Sequence, residues 1–444
     1  MSEDRQATGE AASQRGAAVL RLPTTADVEQ AAEMLGPVIA PTPLQRADRL
    51  SALTGLDVWL KREDLTPVRS YKARGAFTAI SGLTDEERSH GVTCASAGNH
   101  AQGVAFACAR AGVQATIFLP RTTPRQKRDR VAALGGEQVE VVIAGEAYDD
   151  AAVAAADFAA ASGATVIPAF DHEGIIAGQG TVAAEVLAQS AELGWAPDAF
   201  VLPVGGAGLV SGCLTVLAER LPGVRVVAAE PAGAASLAAA LEAGEPVELE
   251  QVDPFVDGAA VRRVGDLTYQ AVAAARPFVE LSSAAVAEGL ICVEMLDLYQ
   301  TDGIIAEPAG ALAAAALRMP SVVDELVPGS RVVVIVSGGN NDVSRYADIV
   351  ERALIHEGLK HYFLVEFPQE PGALRRFLDD VLGPDDDITL FEYTKRNNRE
   401  TGPALVGIEM QNRADLDGLL ARMESSRLRV EKVPPQSPVF GFIS

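Results

Sequence analysis

The chain has 444 residues, 48% of them hydrophobic and 22% charged. That is long for one core and too apolar for a disordered polymer, so two or more domains are expected. The formal net charge of −23 repels phosphate backbones and anionic membrane surfaces, which argues against nucleic-acid and membrane partners, and an anionic ligand would have to be held by local backbone amides.

In chain order, residues 1–20 contain no apolar core and read as a disordered tail rather than a secretory signal. Residues 21–350 alternate short β-branched runs with Ala-rich segments of helical length. Strands are predicted at 116–119, 139–143, 200–204, 225–230 and 331–336. This alternation predicts an α/β fold around mainly parallel sheets, with both faces covered. The uncharged stretch 199–218 has the length of a membrane span, but Pro203 and the run Gly205-Gly206-Ala207-Gly208 divide it into a strand, a tight loop and a helix start.

Residues 351–359 read as a linker. Beyond it the pattern gives strand 361–367, helix 372–382, strand 387–394, strand 403–410, helix 414–425 and strand 428–433. That is the β-α-β-β-α-β order of a ferredoxin-like domain, placed at 360–444. Cys94, Cys108, Cys213 and Cys292 form no CxxC pair and sit in apolar stretches, as buried reduced thiols of a cytosolic protein do. The five histidines show no ligand spacing, and no metal is expected.

Only Lys61, Lys72 and Lys127 lie in the α/β part. A Schiff-base lysine must be desolvated so that its amine is neutral and nucleophilic. Lys127, in RQKRDR, reads as a solvated helix face, and Lys61, in KRED, as a member of a charge pair. Lys72 follows an aromatic and opens an apolar helix, although taken alone a lysine there is more often a snorkelling surface residue. Gly205-Gly206-Ala207-Gly208-Leu209, between a strand and a helix, is either a phosphate cradle or a tight turn. Ser96-Ala97-Gly98-Asn99-His100 occupies a similar junction, as a carboxylate loop or with Asn99 as a simple N-cap. Ser337-Gly338-Gly339-Asn340 ends a strand, as a ring-nitrogen partner or an ordinary turn.

SYKARGA (70–76), SAGNHAQG (96–103), PVGGAGL (203–209) and SGGN (337–340), in that order, resemble the threonine ammonia-lyases, or threonine dehydratases, of the tryptophan-synthase-β group of pyridoxal phosphate enzymes. HYFLVEFPQEPGAL (361–374) is similar to the ACT-like regulatory domain of the biosynthetic branch. The resemblance implies a two-lobed, fold type II catalytic domain over 21–350 and an ACT-like domain over 360–444. It implies pyridoxal phosphate on Lys72, with Asn99 at the ring hydroxyl, Gly205, Gly206, Ala207, Gly208 and Leu209 around the phosphate, and Ser337 at the ring nitrogen. The backbone of Ser96, Ala97, Gly98, Asn99 and His100 would take the substrate carboxylate.

The implied reaction is β-elimination from threonine to 2-oxobutanoate and ammonia. Isoleucine would be the inhibitor and valine the opposing effector, in a cytoplasmic homotetramer. A serine-preferring dehydratase, a β-replacement enzyme or an amino-acid sensor with a dead catalytic domain are the alternatives. Two departures stand out: Ala207 replaces the usual third glycine of the phosphate loop, at a cost of about 1 kcal/mol if that position needs positive φ, and Tyr71 replaces a frequent phenylalanine. Similar serine racemases carry a second serine where this chain has Ala97, which favours a lyase. They also carry a metal site near a Glu-Pro motif, whereas here Glu230-Pro231 is followed by Ser236 in place of the aspartate, so that site is not expected.

Overall fold

The computed structural model describes residues 21–395, 399–426, 428–434 and 437. The predicted tail at 1–20 lies outside them. The described residues pack as two compact units, one built from the chain up to 286 together with 306–340, the other from 287–305 together with the chain from 341 on.

The first unit holds two sheets. In the smaller, Val139–Ile143, Ala115–Leu119, Val92–Ala95 and Thr165–Val166 lie side by side, all parallel. In the larger, the order is Leu44–Arg46, Asp57–Arg62, Arg331–Val336, Ala199–Pro203, Arg225–Pro231 and Glu280–Val286, with only the first edge strand antiparallel. Arg331–Val336 is central, with Val333 paired to Trp59 on one side and Phe200 on the other. Its Val332, Val333 and Val334 are fully buried, as expected of a parallel strand covered on both faces. The uncharged stretch 199–218 resolves into strand Ala199–Pro203 and helix Gly208–Arg220, and among the described residues no helix is long and apolar enough to cross a membrane.

Close helix crossings position the Lys72–Ser81 helix. A Cβ on Gly178, in helix Glu173–Glu192, would come within 2.7 Å of the Arg74 carbonyl and of the Gly75 Cα, so only glycine permits this approach. A buried ion network locks the same helix. Arg74 pairs with Glu63 (2.7 Å) and Glu185 (2.6 Å), Lys61 reaches Glu185 at 2.6 Å, and the Thr42 hydroxyl donates to Glu63 at 2.6 Å. Two cations face two carboxylates, so the cluster carries no net charge. Lys61 is thus occupied structurally.

The second unit contains an antiparallel sheet in the order Asp387–Tyr393, Thr401–Glu409, Lys360–Pro368, Arg429–Val433. Helices Ala373–Asp380 and Asp415–Ser425 contribute Phe377, Leu419 and Met423 to a core with Phe363, Val365, Phe367, Val406 and Ile408. This is the predicted β-α-β-β-α-β order. The stretch 351–359 is not an extended linker: helix Tyr346–Glu357 runs through it and ends at left-handed Gly358. It packs on Glu288–Gln300, with the Tyr299 and Tyr346 rings 5.6 Å apart. Residues 287–305 therefore join the second unit, although their position in sequence places them within 21–350.

Candidate active site

Parallel strands deliver their following loops to one edge, and ligand sites form there. A cavity of about 780 Å³ opens at that edge of the first unit. It is lined by Lys72; Ser96, Ala97, Gly98, Asn99 and His100; Gly205, Gly206, Ala207, Gly208 and Leu209; and Ser337, whereas Gly338, Gly339 and Asn340 of the same loop lie behind its wall.

Backbone bonds clamp the Lys72 helix start to the loop after Arg331–Val336. Tyr71 N–H donates to the Ser337 carbonyl (3.1 Å), Gly339 N–H to the Arg69 carbonyl (2.9 Å), and Ser70 bridges to Gly338. Arg69 adopts φ 57° within this clamp. Ala207 adopts φ 67° and precedes helix Gly208–Arg220, so the loop does require the left-handed conformation at this non-glycine position. Its methyl is buried in the core. At Gly206 the same methyl would lie 2.2 Å from the Phe170 ring. The loop therefore accommodates a side chain at 207 and has no room for one at 206.

The Lys72 amine donates to the Ala169 carbonyl at 2.9 Å and pairs with no carboxylate among the described residues. Desolvation pulls its pKa down to about 8, with Glu307 acting in the opposite direction. Burial holds His100 neutral, with its pKa near 4, and Nε2 lies 2.8 Å from the Ile167 carbonyl. The ring of His100 is thus engaged by the fold, while its backbone stays at the cavity wall. The Ser337 hydroxyl donates to the Ala309 carbonyl at 3.0 Å. Asn99 is held between Asn340, which donates to its Oδ1 at 2.8 Å, and Glu307, which accepts from its Nδ2 at 2.5 Å.

Glu307 escaped the reading of the sequence. The only local signal is a Glu-Pro pair opening the apolar helix Pro308–Ala316. Lys127 also differs from its expectation as a solvated side chain, because it lines the cavity and pairs with Asp257 at 2.7 Å. Glu230 accepts backbone N–H groups from Leu237 (2.7 Å) and Ala238 (2.9 Å), so it caps the start of helix Ser236–Ala243.

The family described as pyridoxal-phosphate dependent enzyme matches residues 35–338, and that described as C-terminal regulatory domain of threonine dehydratase matches 351–443. The chain is 58% identical over 418 residues to the L-threonine dehydratase biosynthetic IlvA of Mycobacterium tuberculosis, covering 94% of this chain and 95% of that protein. It is 46% identical over 403 residues to the protein of the same name from Bacillus subtilis, covering 91% and 93%. Among solved structures it is similar to the processed form of threonine deaminase isoform 2 from Solanum lycopersicum, with TM-score 0.67, 36% identity, and coverage of 75% of this chain and 97% of that one. Maize serine racemase matches with TM-score 0.68, 29% identity, and coverage of 76% and 99%.

Proposed function

The chain belongs to the pyridoxal-phosphate dependent enzymes, in the threonine dehydratase branch that carries a C-terminal regulatory domain, and from that premise we propose that it converts L-threonine to 2-oxobutanoate and ammonia. The observation that carries this reading is the desolvated amine of Lys72, with its pKa near 8, in one cavity with a glycine-rich loop opening a helix.

The donor set fits pyridoxal phosphate. Lys72 offers an amine for the aldehyde carbon. The first-turn amides of Gly208 and Leu209, which lack intrahelical acceptors, suit the phosphate together with Gly205, Gly206 and Ala207. Asn99 Nδ2 suits the ring oxygen. The Ser337 hydroxyl can rotate toward the ring nitrogen, as a neutral group that does not force a proton onto it. When bound, the cofactor supplies an electrophilic carbon that links to amines and a conjugated ring that draws electron density from the substrate's α-carbon.

The chain's own residues then divide the work. Lys72 Nζ would hold the cofactor's electrophilic carbon and, as a free amine, serve as the base for the substrate's α-proton; a pKa near 8 leaves it able to take up and return a proton near neutral pH. The backbone amides of Ser96 to His100 bind the substrate carboxylate at the start of helix Asn99–Ala111. His100, kept neutral, adds no competing charge. Lys127 and Asp257 close part of the cavity wall and reduce its exchange with water.

The regulatory-domain match at 351–443 supports control by an amino acid end product, read as isoleucine opposed by valine. Assembly as a homotetramer in the cytoplasm completes the reading. Replacing Lys72 with Ala tests its centre: 2-oxobutanoate formation should fall roughly a thousandfold or more, and retention of the parent rate would refute the assignment of Lys72.

A further inference from the structure

We propose that Glu307 is a positioning residue of this site, whose carboxylate fixes the Asn99 amide so that one of its hydrogens faces the cavity. The inference rests on the reading of Asn99 as a contact of pyridoxal phosphate.

Glu307 precedes helix Pro308–Ala316, and its N–H donates to the Gly338 carbonyl at 3.1 Å. The residue is 6% exposed and lines the cavity. On the other side of Asn99, Asn340 Nδ2 donates to the Val68 carbonyl and to Asn99 Oδ1, each at 2.8 Å. Both amide hydrogens of Asn340 are thereby used, and the oxygen of Asn99 must face them. Its nitrogen must then face Glu307, whose Oε1 accepts one hydrogen at 2.5 Å. The second hydrogen is left for an acceptor in the cavity, which a ring oxygen provides. A flipped Asn99 would set nitrogen against nitrogen and oxygen against a carboxylate, losing both bonds.

Gly338 is part of the device, since a Cβ there would lie 2.1 Å from Glu307 Oε1. A glutamine could accept the same hydrogen bond without burying a charge. Desolvation, with Asp257 beside it, pushes the Glu307 carboxyl up to about 7, while the Asn99 hydrogen bond, Lys127 and Arg69 act the other way. Lys72 and Tyr71, from the Lys72–Ser81 helix region, also feel its charge. The carboxyl therefore changes its charge near neutral pH at the wall of the cavity, which adds a pH response to the hydrogen-bond role.

The test titrates the cofactor-free parent, Glu307→Gln and Glu307→Ala proteins with pyridoxal phosphate by equilibrium dialysis, and records the visible absorption of each complex across neutral pH. Glu307→Ala should weaken binding about tenfold and displace the absorption band. Glu307→Gln should bind within about threefold of the parent and lose any spectral change centred near pH 7. A Glu307→Ala protein with the parent's affinity and spectrum would overturn the proposal. If that variant fails to fold, judged by thermal unfolding, Glu307→Met, which keeps the side chain's length but is only a weak hydrogen-bond acceptor, takes its place, and parent affinity and spectrum in it overturn the proposal. Failure of the parent itself to bind pyridoxal phosphate would refute the cofactor reading on which the proposal stands.

Discussion

Burial moves the Lys72 amine from an ordinary lysine pKa of 10.5 to about 8, and that shift has a thermodynamic consequence. Between these values the unfolded chain binds more protons than the folded one, so stability rises with pH across the window. The cofactor-free protein should accordingly gain stability relative to a Lys72→Met variant as pH increases from about 8 to about 10, measured by thermal unfolding; a constant difference would show that the amine is solvated. The phosphate loop gives a second prediction. Ala207→Gly removes about 1 kcal/mol of left-handed strain but also about 0.8 kcal/mol of methyl burial, so the unfolding temperature should barely change. Gly206→Ala drives a methyl into Phe170 and should cost about 1–3 kcal/mol. The sequence left open whether Ala207 needs positive φ, since an alanine in a glycine run does not say which; the structure gives it φ 67°. Glu307 was not anticipated, since a glutamate before Pro308 and a run of alanines looks like any helix start. What sets it apart is a contact with Asn99, 208 residues away in the chain, which no local pattern encodes.

At the scale of elements, the Lys72–Ser81 helix is held by glycine-mediated crossings and by the Arg74–Glu63–Glu185–Lys61 network. Glu185→Ala leaves two buried cations undercompensated and should lower stability by about 3–5 kcal/mol, read from denaturant unfolding, with loss of activity following loss of fold. The Lys127–Asp257 pair joins helix Arg125–Gly135 to the loop around 257. Lys127→Met should raise KM for threonine several-fold with a smaller change in kcat, because it loosens the cavity wall without touching the reacting atoms. The strands predicted from continuous β-branched runs lie within two residues of those observed, whereas Leu44–Arg46, Thr165–Val166 and Glu280–Val286, two short and one with mixed polarity, were not predicted. Helix Tyr346–Glu357 was hidden by its sparse buried face, only Ile349 and Ala353, and it read as a linker. The burial of Arg74 was equally invisible, since its partners come from strand ends and a helix distant in sequence.

At the scale of the whole molecule, a chain with net charge −23 can hold an anionic cofactor if, as proposed, the binding groups are local amides and hydroxyls together with the Lys72 amine. The second unit carries the match to the regulatory domain of threonine dehydratase and has its own core. Its packing also sets where the chain can be shortened. A chain ending at Gly358 keeps helix Tyr346–Glu357 over Glu288–Gln300 and should remain folded and active but lose the proposed response to isoleucine, whereas one ending at Asn340 strips the cover from Glu288–Gln300 and should aggregate. The most direct test of the central claim is the release of 2-oxobutanoate from L-threonine by the full chain supplied with pyridoxal phosphate, alongside Lys72→Ala. The account predicts cofactor-dependent release by the parent and its loss in the variant. A parent that binds the cofactor yet leaves threonine unchanged, or a variant that matches the parent's rate, would contradict it.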